Sequence, residues 1–307
     1  MIPTLNEELP MCPTPEAAVT GIPEPPQGFR SAGVVGGGTM GSGIVHVLLA
    51  AGLPVTLVDA DDAGLARAVG LVGDSLAAAA ARGKLPCAPE VLQARLSTST
   101  DVAALADADV VIEAVPERMT LKTAVLGDVE RVIGADALLA TNTSSLSLTT
   151  MGAGLAHPER FLGTHFFNPV PAQSLLELVR TPLTAPSALG RARILAAALG
   201  KEVVEVTDTP GFATSRLGVA LGLEATRMVQ EGVATPEDID RAMVLGYRYP
   251  MGPCRLGDLV GHDVRLGIAE YLAEHLGPRF EPPQLLRDMV AEGRLGKKSG
   301  RGFYDWE

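Results

Sequence analysis

The residues best able to do chemistry fall into two groups, a glycine-rich turn and a histidine with a nearby carboxylate. Gly36-Gly37-Gly38-Thr39-Met40-Gly41 separates the apolar run Ala32-Gly33-Val34-Val35 from the apolar stretch Ile44 to Ala51. Between a strand and a helix, this spacing forms the phosphate cradle of a dinucleotide site. Gly36 permits the tight turn, Gly38 lets backbone approach a pyrophosphate, and Gly41 lets the helix pack on the sheet. The helix N-terminus then faces the anion. A glycine-rich turn also arises from steric need alone, so the context has to carry the reading. Here a second apolar run, Val55-Thr56-Leu57-Val58, ends in Asp59, where a ribose-binding carboxylate is expected. Asp61 and Asp62 follow, with no arginine before Arg67, which favours NAD over a cofactor carrying a 2′-phosphate.

A dinucleotide site implies hydride transfer, and oxidising an alcohol needs a base for the hydroxyl proton. Histidine suits that task near neutral pH. Of the five histidines, His165 alone lies in an apolar run leading into a polar turn and has a carboxylate, Glu177, on the next predicted strand. Glu177 is enclosed by Leu175, Leu176, Leu178 and Val179, and a carboxylate in such a run needs a partner because burying it unpaired is costly. On the residues alone, His165 is equally readable as an ordinary core histidine. His46, His157, His262 and His275 read as packing or surface residues.

The elements that must position these groups follow from pattern. At 307 residues and 47% hydrophobic, the chain has material for about two domains with real cores. Its formal charge of −11 and lack of a long basic run remove the electrostatic footprint of a nucleic-acid partner. Cys12, Cys87 and Cys254 are widely spaced, which fits reduced thiols in a cytoplasmic protein and implies no metal site. The apolar stretch from Ile44 to Val58 is interrupted by His46, Gly52 and Pro54 and does not read as a membrane span. Met1 to Phe29 holds seven prolines and no Lys or Arg, and is expected to be a flexible tail without signal-peptide character.

From residue 30 to 208 the expectation is a Rossmann-type α/β domain. It comprises a βαβ unit to Asp59, a helix over Asp61 to Gly83 and a buried strand Asp109 to Val115. A helix through Leu121 to Ile133 follows, then a strand Ala137 to Ala140 that runs into Thr141-Asn142-Thr143-Ser144-Ser145. Polar loops at strand ends are where open α/β sheets hold ligands. Phe161 to Phe167, Leu175 to Val179 and Val203 to Val206 read as further strands. Residues 209 to 307, beyond the break at Thr207-Asp208-Thr209-Pro210-Gly211, read as a smaller all-α domain. Its helices are expected at Phe212 to Glu231, from a start at Thr235-Pro236-Glu237-Asp238, near Cys254 to Leu276 and at Pro283 to Glu292.

Several motifs occur together and in order. They are the glycine turn through Gly43, Ile112-Glu113-Ala114-Val115-Pro116-Glu117, Asn142-Thr143-Ser144-Ser145-Leu146-Ser147 and His165-Phe166-Phe167-Asn168-Pro169. Asp208-Thr209-Pro210-Gly211-Phe212, Tyr249-Pro250-Met251-Gly252-Pro253 and the run from Gly296 to Tyr304 complete the set. From Arg30 to Tyr304 the chain resembles the L-3-hydroxyacyl-CoA dehydrogenase family, which includes bacterial 3-hydroxybutyryl-CoA dehydrogenases. The resemblance implies NAD as cofactor, an acyl-CoA thioester as substrate and a homodimer formed through the helical domain. It makes His165 the catalytic base and Glu177 its orienting partner, with Ser144 and Asn168 positioning substrate oxygen and nicotinamide. Gly36, Gly38, Thr39, Met40, Gly41, Asp59, Glu117, Lys122, Asn142 and Lys298 fall where the family touches cofactor.

There are departures from the family. Ser215 stands where the family usually has a substrate-contacting asparagine, Ser174 where a lysine is common, and an Ala-rich segment with only Arg67, Arg82 and Lys84 where the family is often Lys-rich. Fewer cations mean a weaker hold on the phosphates of coenzyme A. The same chemistry on a carrier-protein thioester is therefore the nearest alternative. A catalytically silent NAD-binding regulator is a further one, opposed by the retained His165, Glu177, Ser144 and Asn168.

Overall fold

The computed structural model describes residues 21–307. Cys12 and the first twenty residues of the expected tail lie outside that range. An eight-stranded sheet has the order β3-β2-β1-β4-β5-β6-β7-β8. Its strands are β1 (Ala32–Val35), β2 (Val55–Val58), β3 (Leu96–Ser99), β4 (Val110–Glu113), β5 (Leu138–Thr141), β6 (Phe161–Phe166), β7 (Leu175–Arg180) and β8 (Glu202–Thr207). β1 to β6 are mutually parallel, β7 runs antiparallel to β6, and β8 is parallel to β7. The order reverses between β1 and β4, which opens a crevice at their C-terminal ends.

The central strands are continuous apolar runs because both faces are covered. Val34, Leu57, Ile112 and Ala140 point into one core, and Val35, Val58, Val111 and Leu139 into the other. The covering helices are α1 (Thr39–Ala50), α2 (Asp62–Ala80), α3 (Pro89–Gln93), α4 (Met119–Val132), α5 (Leu148–Gly152) and α6 (Pro186–Ala198). α2 is long and apolar enough to cross a membrane by length and composition. It also carries Asp62, Arg67 and Asp74 and buries Leu65, Ala68, Val72 and Leu76, one stripe at helical spacing, in the first core.

Beyond β8 come only helices: α7 (Thr214–Gln230), α8 (Pro236–Tyr247), α9 (Pro253–Val260), α10 (His262–Leu276) and α11 (Gln284–Ala291), with short turns between and after them. Thr235 caps α8 by accepting from the Asp238 N–H, with Pro236 at its first position. The single helix expected from Cys254 to Leu276 is two. Gly261 sits at φ 100°, a left-handed conformation that breaks the helix between α9 and α10. The edge strand β3 was not anticipated, because Leu96-Ser97-Thr98-Ser99 is too polar to show a buried-strand pattern.

The lead-in to β1 corrects the expectation of a flexible tail for its last residues. Phe29 is 3% exposed, Arg191 stacks over its ring at 4.9 Å, and the chain at Pro23 passes so close to Gly52 that a side chain there would meet the Pro23 carbonyl. Composition alone could not show this, since one aromatic in a proline-rich stretch suffices to pin it. Replacing Phe29 with alanine should therefore lower unfolding free energy by about 3 kcal/mol, measured by denaturant titration; a change within error would return this segment to the status of a loose tail.

Candidate active site

The glycine turn has the geometry of a cradle. Gly36 has φ 102°, and a Cβ there would lie 2.7 Å from the Ala114 carbonyl. At Gly41 a Cβ would sit 1.8 Å from the Gly36 carbonyl, so its absence lets α1 close onto β1. A Cβ at Gly38 would meet nothing within 4 Å, which leaves open space where a ligand's phosphates could approach the backbone. The start of α1 has no side-chain cap and no acid in its first turn, so its free N–H groups face that space. Asp59, at the end of β2, accepts from the Gly37 N–H at 2.5 Å and the Ala60 N–H at 2.6 Å. The residues present fit a dinucleotide.

This turn opens into a cleft of about 1760 Å³ bounded by the strand ends and, across from them, by α10 through Asp263, Ile268 and Tyr271. Glu117, Asn142 and Ser144 line it, as do Thr39, Met40 and Asp59. Glu117 bonds Thr143 and accepts from the Ser144 N–H at 3.0 Å, which fixes the loop after β5. The Asn142 side-chain oxygen accepts from the Phe166 N–H at 2.9 Å and ties that loop to β6. Arg67 also lines the cleft.

Ser144, on the cleft wall, leads to a relay behind it. His165 and Glu177 are directly opposite each other on β6 and β7. Directly opposed residues of an antiparallel pair share a face of the sheet, so the two side chains meet. His165 Nδ1 lies 2.7 Å from Glu177 Oε2, and Nε2 lies 3.1 Å from Ser144 Oγ. A carboxylate only accepts, so Nδ1 carries the proton and Nε2 is left as the basic nitrogen. The ring is flanked by Phe167 at 4.4 Å and Phe212 at 5.7 Å between centroids. Burial raises the Glu177 carboxyl, but hydrogen bonds from His165 and from the Thr214 hydroxyl and N–H outweigh it and hold the group below the usual carboxylate range.

The structure separates the remaining expected residues. Lys122 is fully buried, 2.8 Å from Glu113, bonded to the carbonyls of Val115 and Asn142, and 3.4 Å from Glu117 on the cleft wall. Burial pushes Glu113 up, while Lys122, Thr141 and the Val115 N–H pull against it. This pair fixes the floor on which Asn142 and Glu117 stand. Lys298 pairs with Asp263 at 2.5 Å behind the α10 wall. Asn168 and Ser215, like His165 and Glu177, do not line the cleft itself. Asn168 heads the loop from β6 to β7, which is held by Lys201 Nζ on the Val170 and Gln173 carbonyls, both at 2.6 Å, and by Val170 against Gly43 of α1. Ser215 lies in the first turn of α7, one residue beyond Thr214.

Sequence reasoning missed Thr214 and Glu113. For Glu113 the signal was present, a carboxylate inside the apolar run Val110-Val111-Ile112, the same argument that pointed to Glu177. Thr214 carried none.

A nucleotide cradle at a sheet's switch point, in a cleft whose Ser144 reaches a buried histidine–carboxylate pair and whose far wall is a helix of the second domain, defines an NAD-dependent dehydrogenase. The family model for the 3-hydroxyacyl-CoA dehydrogenase NAD binding domain matches residues 31–209, and that for the C-terminal domain matches residues 211–306. The chain is 44% identical over 282 residues to a 3-hydroxybutyryl-CoA dehydrogenase of Mycobacterium tuberculosis, covering 91% of this chain and 99% of the relative. It is 40% identical over 280 residues to the 3-hydroxyadipyl-CoA dehydrogenase of Escherichia coli, covering 90% of this chain and 59% of that protein. The crystal structure of the (S)-3-hydroxybutyryl-CoA dehydrogenase of Ralstonia eutropha superimposes with a TM-score of 0.86 at 38% identity, over 91% of this chain and 99% of that one. The chain belongs to the 3-hydroxyacyl-CoA dehydrogenase family, and its cofactor is NAD.

The two glycines that differ in their surroundings separate cofactor binding from folding. Gly38→Ala should leave the melting temperature in place and weaken NADH binding by at least about tenfold, followed by fluorescence titration. Gly41→Ala, whose methyl meets backbone, should instead lower the melting temperature. Equal NADH affinity in Gly38→Ala would remove the phosphates from this turn.

Proposed function

We propose that the protein interconverts a 3-hydroxyacyl-CoA and its 3-oxo form, with 3-hydroxybutyryl-CoA as the simplest substrate. The observation that carries this reading is the Glu177–His165–Ser144 relay, which Ser144 connects to the cleft. Bound NAD supplies the hydride acceptor for the substrate's C3 hydrogen. His165 Nε2 takes the hydroxyl proton of the substrate, and Ser144 Oγ, within reach of the same nitrogen, orients that hydroxyl. Glu177 keeps Nδ1–H pointed at itself and stabilises the imidazolium that forms. Phe167 and Phe212 restrict water at the ring, and His165 is only 4% exposed. In the reverse direction the same nitrogen returns the proton to the 3-oxo oxygen. Asn168 and Ser215 are assigned to the acyl end, Asp59 to the adenosine ribose, Glu117 and Asn142 to the nicotinamide side, and Lys298 to the outer part of the cofactor wall.

A carrier-protein thioester is a second reading, favoured by the cleft's acidic lining, with Asp74, Asp101, Asp128 and Asp263 against Arg67 and Arg118. Coenzyme A adds phosphate charge to such a wall, whereas a carrier keeps its phosphate near its own surface. His165→Ala should lower turnover by ~10²–10⁴-fold while NADH binding stays near wild type, and Glu177→Gln should lower it less. These rates are read on 3-hydroxybutyryl-CoA and on the same acyl group attached to a carrier protein. More than about a tenth of wild-type activity in His165→Ala would mean another group is the base.

We also propose that two copies pair through the helical domain. Large apolar side chains stand exposed there, Leu245 at 69% and Tyr247 at 73%, together with Tyr249, Leu256 and Leu259. Such a concentration on one domain is what an isologous contact requires. Light scattering at micromolar concentration should give twice the chain mass, and Leu245→Asp should shift it toward the monomer; a monomeric wild type rejects the pairing.

A further inference from the structure

We propose that Thr214 is a positioning residue for the reaction: its hydroxyl and the His165 imidazole share one oxygen of Glu177, so that the helical domain tunes the base. Glu177 Oε2 accepts from His165 Nδ1 at 2.7 Å and from Thr214 Oγ1 at 2.7 Å. The other oxygen, Oε1, accepts from the N–H groups of Thr214 at 3.0 Å and Ala213 at 3.3 Å. Three of the four donors therefore come from the start of α7, and the carboxylate sits at that helix's N-terminus, where negative charge is favoured. The inference rests on His165 acting as the base.

Two consequences follow from the shared oxygen. The hydroxyl, together with the two N–H groups on Oε1, fixes the carboxylate plane and so holds Oε2 toward Nδ1. It also draws charge from Oε2, which makes that oxygen a weaker partner for an imidazolium than a carboxylate facing His165 alone. Phe212, two residues earlier, holds φ 51°, a conformation costly for a bulky residue. Its ring lies edge-on to His165, so the bend that delivers Thr214 also packs the base. The groups facing Glu177 are few. β6 brings His165 and β8 brings Val204 opposite it, while α7 contributes uncharged donors. The next carboxylate along the relay is Glu117, reached only through the backbone N–H of Ser144.

The test is the pH dependence of kcat/KM for 3-hydroxybutyryl-CoA oxidation in Thr214→Val, Thr214→Ala and Thr214→Ser, with melting temperature and NADH affinity measured beside it. Removing the hydroxyl leaves Oε2 more basic and stabilises the imidazolium, so the acid limb should move to higher pH by about half a unit. At the same time kcat should fall roughly fivefold as the carboxylate loses its fixed plane, with KM little changed. Serine keeps the donor and should return the limb to its wild-type position. A limb unmoved in Thr214→Val, or in Thr214→Ala if the valine variant fails to fold, overturns the inference, as does a serine variant that behaves like valine. His165→Ala in the same series keeps the two ideas apart. If it retains turnover, the assignment of the base fails; if it is inactive while the threonine variants leave the limb in place, only the role of Thr214 fails.

Discussion

The arrangement of this protein turns on a charge that must stay buried. Glu177 is wholly shielded from solvent, in a β-strand whose neighbours are leucine and valine. An unpaired carboxylate there would cost several kcal/mol, and the structure answers with donors from two different parts of the chain. One is the imidazole of the facing strand, and the rest come from the first residues of α7. The requirement that orients the imidazole also seams the sheet to the helical domain, because neither part alone satisfies the carboxylate.

The same device recurs at two other places. Under the cleft floor, Glu113 on β4 is matched by Lys122 on α4, Thr141 on β5 and a backbone N–H, which joins three consecutive elements. In the helical domain, Asp258 accepts from His262, from the N–H groups of Phe303 and Tyr304, and from the Trp306 indole. These bonds outweigh burial and hold its carboxyl low. They also fasten the last residues of the chain to α9 and α10. Breaking one partner of such a group is worse than never having made it, because the remaining charge stays buried without compensation.

How much of this was legible in sequence depended on range. The glycine turn, Asp59 and the strand runs are local patterns, and the structure places them where those patterns pointed. The pairing of His165 with Glu177 was legible only as a need: an acid in an apolar run wants a partner, and the nearest candidate was one strand away. What sequence could not show was the identity of donors that arrive from distant segments through backbone geometry, as at Ala213 and Thr214. Lys122 shows a related limit. A lysine on an amphipathic helix has two ways to face, and only the location of Glu113 across the strand end decides between them. Gly261 looked like one more glycine in a long helical run until its left-handed backbone showed it to be a break.

The reversal of strand direction at β7 follows from the same constraint. If β7 ran parallel to β6, the connection would need a crossover of a dozen or more residues in place of the short loop headed by Asn168. Running antiparallel, the chain returns over the short segment between Phe166 and Leu175, and Lys201 and Gly43 hold that segment against the cofactor helix. Direct opposition then delivers Glu177 to the imidazole at hydrogen-bonding distance with no long loop to order. The antiparallel turn therefore sets three things at once: the distance between base and carboxylate, the place of Asn168, and the side of the sheet on which α7 must begin in order to complete the carboxylate's bonds.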